Sequence, residues 1–357
     1  MTRDIEERLK DLGLIKSPFL NFTIDHPDFL KVFIDRKKEI NRIQFSLESS
    51  GSTSRRNIAF IGRSRIGKTM LIQYTLKNIL NKNHCLFFDY PPGFHEFCNK
   101  GIQLNNPNLP SFPHGTDMRE MANNIIEYSK QSPNLHTISI DNFEEMIDKP
   151  KEEIGEFIRV FRRSNFLFII ACTEQEWNFL ISVHPQLRYA FSVEIIVPPF
   201  SLENCHDFFH EWLAFSRKKP EAGINPFTED AARLIGIYSF FIPGCMNDHA
   251  NRVFSEALSE NRHIIDGDYV RRRVINSPVT GSMLSGLNDN EVHAIELMIE
   301  YGDTITFEIL ADRLGVSRVA AAGYMQELID HDLAVKVDTP GKKKMFRVSE
   351  EFKSTLV

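Results

Sequence analysis

The chain has 357 residues, of which 42% are hydrophobic and 25% charged, and its formal net charge is −6. This length fits two or three domains, and the composition excludes global disorder. The longest apolar run, residues 166–172, is far shorter than the roughly 20 residues that cross a bilayer, so we expect a cytoplasmic protein with no membrane partner.

The first 56 residues are predicted to form a lead-in, with a helix in the second half of 28–43. From residue 57 to 200, five short apolar runs alternate with helical segments. The runs are predicted strands and begin near Asn57, His84, His136, Phe166 and Ser192. An irregular insertion is predicted over 91–116, and one continuous helix over 174–187. Strands that alternate with helices predict an α/β fold with a parallel sheet covered on both faces.

The C-terminal part of the chain carries a different pattern. Residues 201–276 show helical segments and no strand, which predicts a small helical module. A linker is predicted over 277–287. Residues 288–357 then predict three helices, over 289–301, 307–314 and 317–330, followed by two short strands around 339–342.

A phosphate-binding motif follows the first strand. The residues Gly62, Arg63, Ser64, Arg65, Ile66, Gly67, Lys68 and Thr69 match the P-loop pattern G-x-x-x-x-G-K-[ST], between a strand and a helix as that motif requires. Its glycines let backbone N–H groups surround a phosphate at a helix N-terminus. Lys68 would reach the β- and γ-phosphate oxygens and Thr69 would hold Mg²⁺. The motif therefore predicts ATP or ADP with Mg²⁺ as cofactors.

Acidic residues that end the third strand complete the predicted site. Asp141 follows a buried strand and is the candidate for the second Mg²⁺ anchor. The next residue is Asn142 and not a second acid, so the residue that polarises water in many P-loop ATPases is missing there. Glu144 or Glu145 could substitute, or hydrolysis could be slow.

Two further polar residues lie near strand ends. Thr173 ends the fourth strand, where a hydroxyl could orient water near the γ-phosphate. Arg188 precedes the fifth strand and could reach the nucleotide of a neighbouring subunit as an arginine finger. A strand-end threonine and a solvated surface arginine are the ordinary alternatives.

With these features the sequence resembles the AAA+ ATPases, especially archaeal replication initiators of the origin-recognition type and related signalling ATPases. The resemblance rests on Phe33-Ile-Asp-Arg-Lys-Lys-Glu-Ile40, the P-loop, Ile138-Ser-Ile-Asp141, Thr173 and Asn225-Pro-Phe-Thr-Glu-Asp-Ala-Ala232. It implies a sheet in the order 5-1-4-3-2, a helical lid over 201–276 and self-association. A lid arginine that senses the γ-phosphate is also usual in these proteins, and only Arg252 is a candidate for it here.

The last segment resembles the winged-helix tail of the same relatives. Its second and third helices are separated by Gly315, as in a helix-turn-helix. Binding of double-stranded DNA would place Arg318 and Tyr324 near bases and wing lysines on phosphates. The candidate wing lysines are Lys342, Lys343 and Lys344. However, residues 288–357 contain thirteen acidic residues against eight basic ones, a balance that opposes DNA affinity.

The sequence leaves two functions open. The first is a slowly hydrolysing ATP-dependent switch that associates with DNA through its winged helix. The second is a signalling or assembly ATPase whose winged helix docks a protein partner. The acidic tail and Asn142 favour the second function, whereas the wing lysines favour the first.

Overall fold

The helices and strands of the computed structural model are described for residues 2–34, 36–48, 57–80, 84–104, 109–132, 134–219, 223–275, 283–284, 286–302, 304–337 and 344–356. These residues form two units. The sheet unit comprises the described residues of 23–198. The helical unit comprises residues 2–22 and the described residues from 199 onward. The predicted lead-in over 1–56 is therefore divided between the two units.

The helices of the described residues are α1 (Thr2–Asp11), α2 (Lys37–Glu48), α3 (Lys68–Tyr74), α4 (Phe94–Gln103), α5 (Met118–Gln131), α6 (Lys151–Arg163), α7 (Glu174–Val183), α8 (Gln186–Ala190), α9 (Leu202–Ser216), α10 (Glu229–Tyr238), α11 (Pro243–Ser259), α12 (Gly267–Ile275), α13 (Asp289–Glu300), α14 (Phe307–Leu314), α15 (Arg318–Asp330) and α16 (Glu350–Leu356). The strands are β1 (Ile58–Ile61), β2 (Cys85–Phe88), β3 (Thr137–Ile140), β4 (Leu167–Cys172), β5 (Val193–Ile196), β6 (Thr304–Thr306), β7 (Ala334–Val337) and β8 (Met345–Val348). None of these helices is both long and apolar enough to cross a membrane.

The sheet unit is built on strands β1–β5. All four pairings are parallel, and the order is β2-β3-β4-β1-β5. This is the predicted order 5-1-4-3-2 read from the opposite edge, so the predicted α/β sheet is confirmed. β1, β3 and β4 are buried along their whole length, as expected for apolar strands with helices on both faces. Because the strands are parallel, the segments that follow their carboxyl ends meet at one edge of the sheet.

Aromatic side chains fill one side of the sheet. Phe97 from α4 lies 4.9 Å from Phe157 of α6, and Phe161 of α6 lies 4.7 Å from Phe168 of β4, measured between ring centroids. Such contacts add to the free energy of burying the rings. The prediction of an irregular segment over 91–116 was wrong for Phe94–Gln103. The segment in which buried residues have helical spacing is short there, and prolines and glycines flank it.

The helix predicted over 174–187 is also corrected. It is two helices, α7 and α8, separated at His184 and Pro185. Proline has no N–H to donate to the preceding turn, so a helix that reaches it ends there. The chain then continues from α8 to the start of β5 at Val193.

In the helical unit, the N-terminal residues pack against α9 and α11. The Arg8 guanidinium donates to the carbonyls of Leu258 and Ser259 at 2.7 and 2.9 Å, at the C-terminal end of α11. Phe19 is 1% exposed and lies 5.5 Å from Phe209 of α9 between ring centroids. A cation at the last carbonyls of a helix is stabilising.

The C-terminal part of the helical unit contains α13–α16 and a small antiparallel sheet in the order β6-β8-β7. The three predicted helices and two predicted strands are present, and β6 is an additional three-residue strand that the sequence analysis missed. Gly315 has φ 66° at the end of α14, a conformation that favours glycine. It produces the sharp turn between α14 and α15.

A buried ionic cluster joins α13 to the helical module. Glu296 of α13 is fully buried and accepts hydrogen bonds from Tyr238 at 2.6 Å and from two guanidinium nitrogens of Arg271, each at 3.0 Å. Burial, and then the charge of Glu296, raise the pKa of Tyr238 well above its ordinary value. The hydroxyl therefore stays a donor, and the bidentate pair fixes α13 against α10 and α12.

Candidate functional site: the phosphate loop and the carboxyl edge of the sheet

The loop between β1 and α3 requires glycine at two positions. A Cβ added to Gly62 would lie 2.7 Å from the carbonyl oxygen of Val197, so no larger residue fits there. Gly67 has φ 96°, in the left-handed region that favours glycine. The N–H of Gly62 donates to the Cys172 carbonyl at 3.2 Å, which fixes the loop to the end of β4. The loop thus has a defined shape at the N-terminus of α3.

Lys68 extends into this loop from the first turn of α3. It is 9% exposed, and its Nζ donates to the carbonyls of Gly62 at 3.0 Å and Arg63 at 2.9 Å. Burial lowers the pKa of Lys68, and the charges of Glu144 and Asp141 oppose that shift. The ammonium therefore lies where a phosphate held by the loop would meet it.

Thr69 and Asp141, the two predicted Mg²⁺ anchors, lie beside each other. The Thr69 hydroxyl donates to the Asp141 carboxylate. Asp141 is 3% exposed, and burial raises its pKa while the hydrogen bond from Thr69 opposes the shift. Hydroxyl and carboxylate oxygens fit Mg²⁺, which is usually held by one or two protein oxygens together with phosphate and water. Among the described residues, no three His, Cys, Asp or Glu side chains form a metal site.

The two candidate bases occupy different environments. Glu144 is half-buried, its charge acts on both Lys68 and Asp141, its Oε2 is shielded from solvent, and its side chain has a hydrogen bond with the Cys172 thiol. Glu145 is exposed. Asn142 has φ 46° and its amide donates to the Asp89 carbonyl at 3.0 Å. The structure therefore brings Glu144, and not Glu145, to the Lys68–Asp141 pair.

Thr173 lies beside the loop at the start of α7. It caps that helix, and its hydroxyl donates to the Glu176 carboxylate. An open pocket of about 500 Å³ is lined by Arg63 and Ser64 of the loop and by residues of the 173–178 segment, including Thr173 and Glu176. Sequence reasoning missed Glu176, although the spacing Thr-x-x-Glu is typical of a helix start and could have indicated it.

Arg36 is a second residue whose role the sequence analysis did not identify. It is 6% exposed, and its guanidinium donates to the Pro198 carbonyl at 2.7 Å and to the Ile66 carbonyl at 2.9 Å. It thereby ties the loop to the end of β5. The only sequence signal for it was its place in the motif 33–40.

Arg188 lies apart from these residues. It is exposed on α8, shortly before the amino end of β5, whereas the P-loop follows the carboxyl end of β1. The opening beside it is lined by Asn41, Arg42 and Phe45 of α2. The structure therefore does not bring Arg188 to the phosphate loop of its own chain.

The predicted DNA residues differ in their exposure. The Arg318 side chain is 74% exposed and lies 4.0 Å from Glu308, and Lys344 is exposed. Tyr324 is half-buried, and its hydroxyl accepts from the Asn290 amide of α13 at 3.1 Å, so it is held against the neighbouring helix. Lys342 and Lys343 lie outside the described residues.

Comparison with known proteins identifies the fold. No protein-family model and no curated protein matches the chain. Among solved structures, the Cdc6p protein of Pyrobaculum aerophilum matches with a TM-score of 0.57 at 13% identity, covering 94% of this chain and 98% of that one. The ORC2 protein of Aeropyrum pernix, in its ADPNP–ADP complexes, matches with a TM-score of 0.55 at 13% identity, covering 90% and 92%. This chain has the fold of the archaeal ORC and Cdc6 proteins.

The shared ORC/Cdc6 fold agrees with the AAA+ resemblance that the motifs implied. Identities of 13% establish the fold alone, because function depends on the particular site residues. In this chain the ORC/Cdc6 fold brings Lys68, Thr69 and Asp141 together at the carboxyl edge of the sheet.

Proposed function

We propose that this chain binds Mg²⁺-ATP at residues 62–69 and acts as a slowly hydrolysing nucleotide-dependent switch. The observation that carries the proposal is the contact between Thr69 and Asp141 beside the buried Lys68 ammonium. A loop of inward N–H groups, a buried cation and two adjacent oxygen ligands are what a nucleotide polyphosphate with Mg²⁺ requires. The ADPNP and ADP bound to the A. pernix protein of the same fold support this assignment.

The chain's own residues have distinct roles in this proposal. Lys68 exchanges the carbonyls of Gly62 and Arg63 for the β- and γ-phosphate oxygens. Thr69 and Asp141 hold Mg²⁺, which when bound neutralises charge that develops on the phosphates. Thr173, beside Arg63 and Ser64, orients the attacking water near the γ-phosphate.

The proton acceptor in this proposal is Glu144. Asn142 cannot accept a proton, and Glu145 is exposed. Glu144 combines a carboxylate oxygen shielded from solvent with proximity to Lys68 and Asp141. Since it is two residues further along the chain than the usual acid, we expect slow turnover. In a self-associated form, Arg188 would act on the nucleotide of a second copy.

The nucleotide assignment is tested by measuring ATP affinity in the parent, in Lys68→Ala and in Lys77→Ala. Lys77 lies in the helical turn Thr75–Ile79 that follows α3, and makes no hydrogen bond or ion pair with the loop among the described residues, so it is the matched control. Loss of Lys68 should weaken ATP binding at least about tenfold, the range of a charge-assisted hydrogen bond, whereas Lys77→Ala should bind as the parent does. Equal affinity in all three proteins would refute the assignment.

We further propose that α13–α15 and β6–β8 form a winged helix that associates with double-stranded DNA. The order of three helices with an antiparallel sheet, together with exposed Arg318 and Lys344, supports this proposal. Arg318 begins α15, and in helix-turn-helix proteins the N-terminal residues of the second helix contact base edges. Lys342, Lys343 and Lys344 would contact phosphates.

A second candidate is that this module docks a protein, and one observation favours it. The exposed positions of α15 after Arg318 are Val319, Gly323, Gln326, Glu327 and Asp330, and Val319 is 83% exposed. A helix face with one cation, two acids and an exposed valine suits a protein surface better than a phosphate backbone.

A further inference from the structure

A basic pocket lies on the sheet unit, away from the phosphate loop. It has a volume of about 470 Å³ and is lined by Gly155, Arg159, Arg162 and Arg163 of α6 and by His184 and Gln186 of the α7–α8 junction, among others. No carboxylate side chain of the described residues lines it. Three guanidinium groups therefore share one cavity in a chain of net charge −6.

The arginines converge because of their helical spacing. Positions 155, 159, 162 and 163 follow one another at intervals that place them on one face of α6. Arg159 is held by its contacts with the Asn123 side chain and with Glu156, whose Oε2 lies 3.4 Å from Nη1. Arg162 and Arg163 are exposed and make no hydrogen bond or ion pair with the described part of the chain, so their donors are available to a ligand.

Gly155 leaves the pocket open. A Cβ added there would meet no heavy atom within 4 Å, so the glycine is not needed for backbone packing. Glycine inside a helix destabilises that helix relative to alanine. Gly155 thus weakens α6, and because it has no side chain it leaves free space next to the three arginines.

The pocket is separate from the nucleotide site. Arg162 and Arg163 end α6 shortly before the amino end of β4 at Leu167, whereas the P-loop follows the carboxyl end of β1. Arginines in the last turn of a helix also stabilise its C-terminal carbonyls. That effect accounts for Arg162 and Arg163, but not for Arg159 one turn earlier or for the open space at Gly155.

We propose that this pocket binds a phosphoryl group that carries two or more negative charges. Guanidinium groups donate paired N–H bonds to phosphate oxygens, and several of them on one side neutralise a dianion. Two sources share this chemistry: a free anion such as pyrophosphate, and a phosphoserine carried by a protein. The volume admits either one.

The test uses the full chain with Lys68→Ala, which removes the phosphate-loop cation, and titrates it with pyrophosphate by calorimetry without Mg²⁺. We expect one site, and at least about tenfold weaker binding when Arg162→Ala and Arg163→Ala are added, because charged hydrogen bonds are lost. The single variants Arg162→Ala and Arg163→Ala are each compared with Arg119→Ala, which also removes one exposed arginine, on α5, and should leave the affinity unchanged. Gly155→Ala should also bind normally, whereas Gly155→Glu should abolish binding.

Two results would overturn the proposal. One is no heat of binding at millimolar pyrophosphate in the Lys68→Ala protein. The other is an equal loss of affinity with Arg119→Ala, which would indicate non-specific charge attraction. A phosphoserine peptide is titrated in parallel, and the tighter of the two ligands identifies the source. Failure of the ATP proposal would leave this site intact in both the parent and the Lys68→Ala protein, so the two outcomes are distinguishable.

Discussion

Lys68 and Asp141 are buried beside each other with opposite charges, and burial disfavours the charged form of each. It lowers the pKa of Lys68 and raises that of Asp141, while their mutual attraction opposes both shifts. Buried charges without full compensation destabilise a fold. The site residues that suit a metal–nucleotide complex therefore reduce the stability of the sheet unit itself.

A stability prediction follows for Asp141→Asn. Because the folded pKa of Asp141 is raised, its protonated form favours folding, and this contribution is present at low pH and is lost as the pH rises through that pKa. Asparagine keeps an acceptor for Thr69 and carries no charge. Without Mg²⁺ and nucleotide, the variant should melt at a higher temperature than the parent at pH 7, with the difference shrinking towards pH 4. Thermal melts across this range in EDTA check it, and a lower melting temperature at pH 7 would contradict it.

Glu144 and Glu145 can be separated by hydrolysis rates. If Glu144 accepts the proton, Glu144→Gln should reduce kcat about 100-fold or more, the usual contribution of a general base, while ATP affinity changes little. Glu145→Gln should keep most of the rate, and Glu120→Gln on α5 serves as a distant control. Steady-state ATPase assays with matched ATP-binding measurements decide it. A dominant effect of Glu145→Gln would refute the assignment of Glu144.

Among the helices and strands, the sequence predicted those that have a long apolar pattern or lie next to a motif. All five strands of the sheet carry apolar runs, and the P-loop fixes where β1 ends and α3 begins. α4 was missed because proline- and glycine-rich flanks suggest a loop, and β6 because three residues show no periodicity. The pairing of residues 2–22 with α9 and α11 depends on contacts such as Phe19–Phe209, which no local pattern reveals.

The residues of the candidate site, like the helices and strands, were predictable only in part. The P-loop and Asp141 follow from a motif and a strand end, so their proximity could be anticipated. The burial of Glu144 and the exposure of Glu145 could not, because both lie in the short 3-10 helix Phe143–Asp148, whose register the sequence does not determine. The hydrogen bonds of Arg36 to Ile66 and Pro198 join distant segments, which a single sequence does not show.

The ionic cluster on α13 gives a prediction at the same scale. Glu296→Ala leaves Arg271 and Tyr238 without their acceptor, at a cost of about 2–3 kcal/mol. Amide exchange in α13 should accelerate about 30- to 150-fold, the equivalent of that free energy. Glu300→Ala breaks the pair with Arg233, in which the carboxylate is 22% exposed, and should cost less than Glu296→Ala does. Hydrogen exchange measured on the full chain tests both variants, and equal protection of α13 in the parent and in Glu296→Ala would show that the cluster contributes nothing.

For the whole molecule, the prediction that matters most is whether the C-terminal module binds DNA or a protein. If it binds DNA, replacing Lys342, Lys343 and Lys344 with glutamine should weaken binding to all duplexes alike. The slope of log K against log salt should flatten by about 0.9 for each phosphate that no longer has a lysine beside it. Arg318→Ala should instead reduce discrimination between sites by about 1–3 kcal/mol if it contacts guanine. Polarisation titrations with ATP at several salt concentrations measure both effects, and an absence of duplex binding at low salt would favour the protein-docking alternative.

The central claim is that the phosphate loop, Thr69 and Asp141 form one Mg²⁺-nucleotide site. It is tested most directly by titrating labelled ATP into the parent, Lys68→Ala and Asp141→Asn, each with Mg²⁺ and with EDTA. The parent should bind more tightly with Mg²⁺. Asp141→Asn should lose that gain and keep its Mg²⁺-free affinity, whereas Lys68→Ala should be weak under both conditions. An undiminished Mg²⁺ effect in Asp141→Asn, or parental affinity in Lys68→Ala, would contradict the claim.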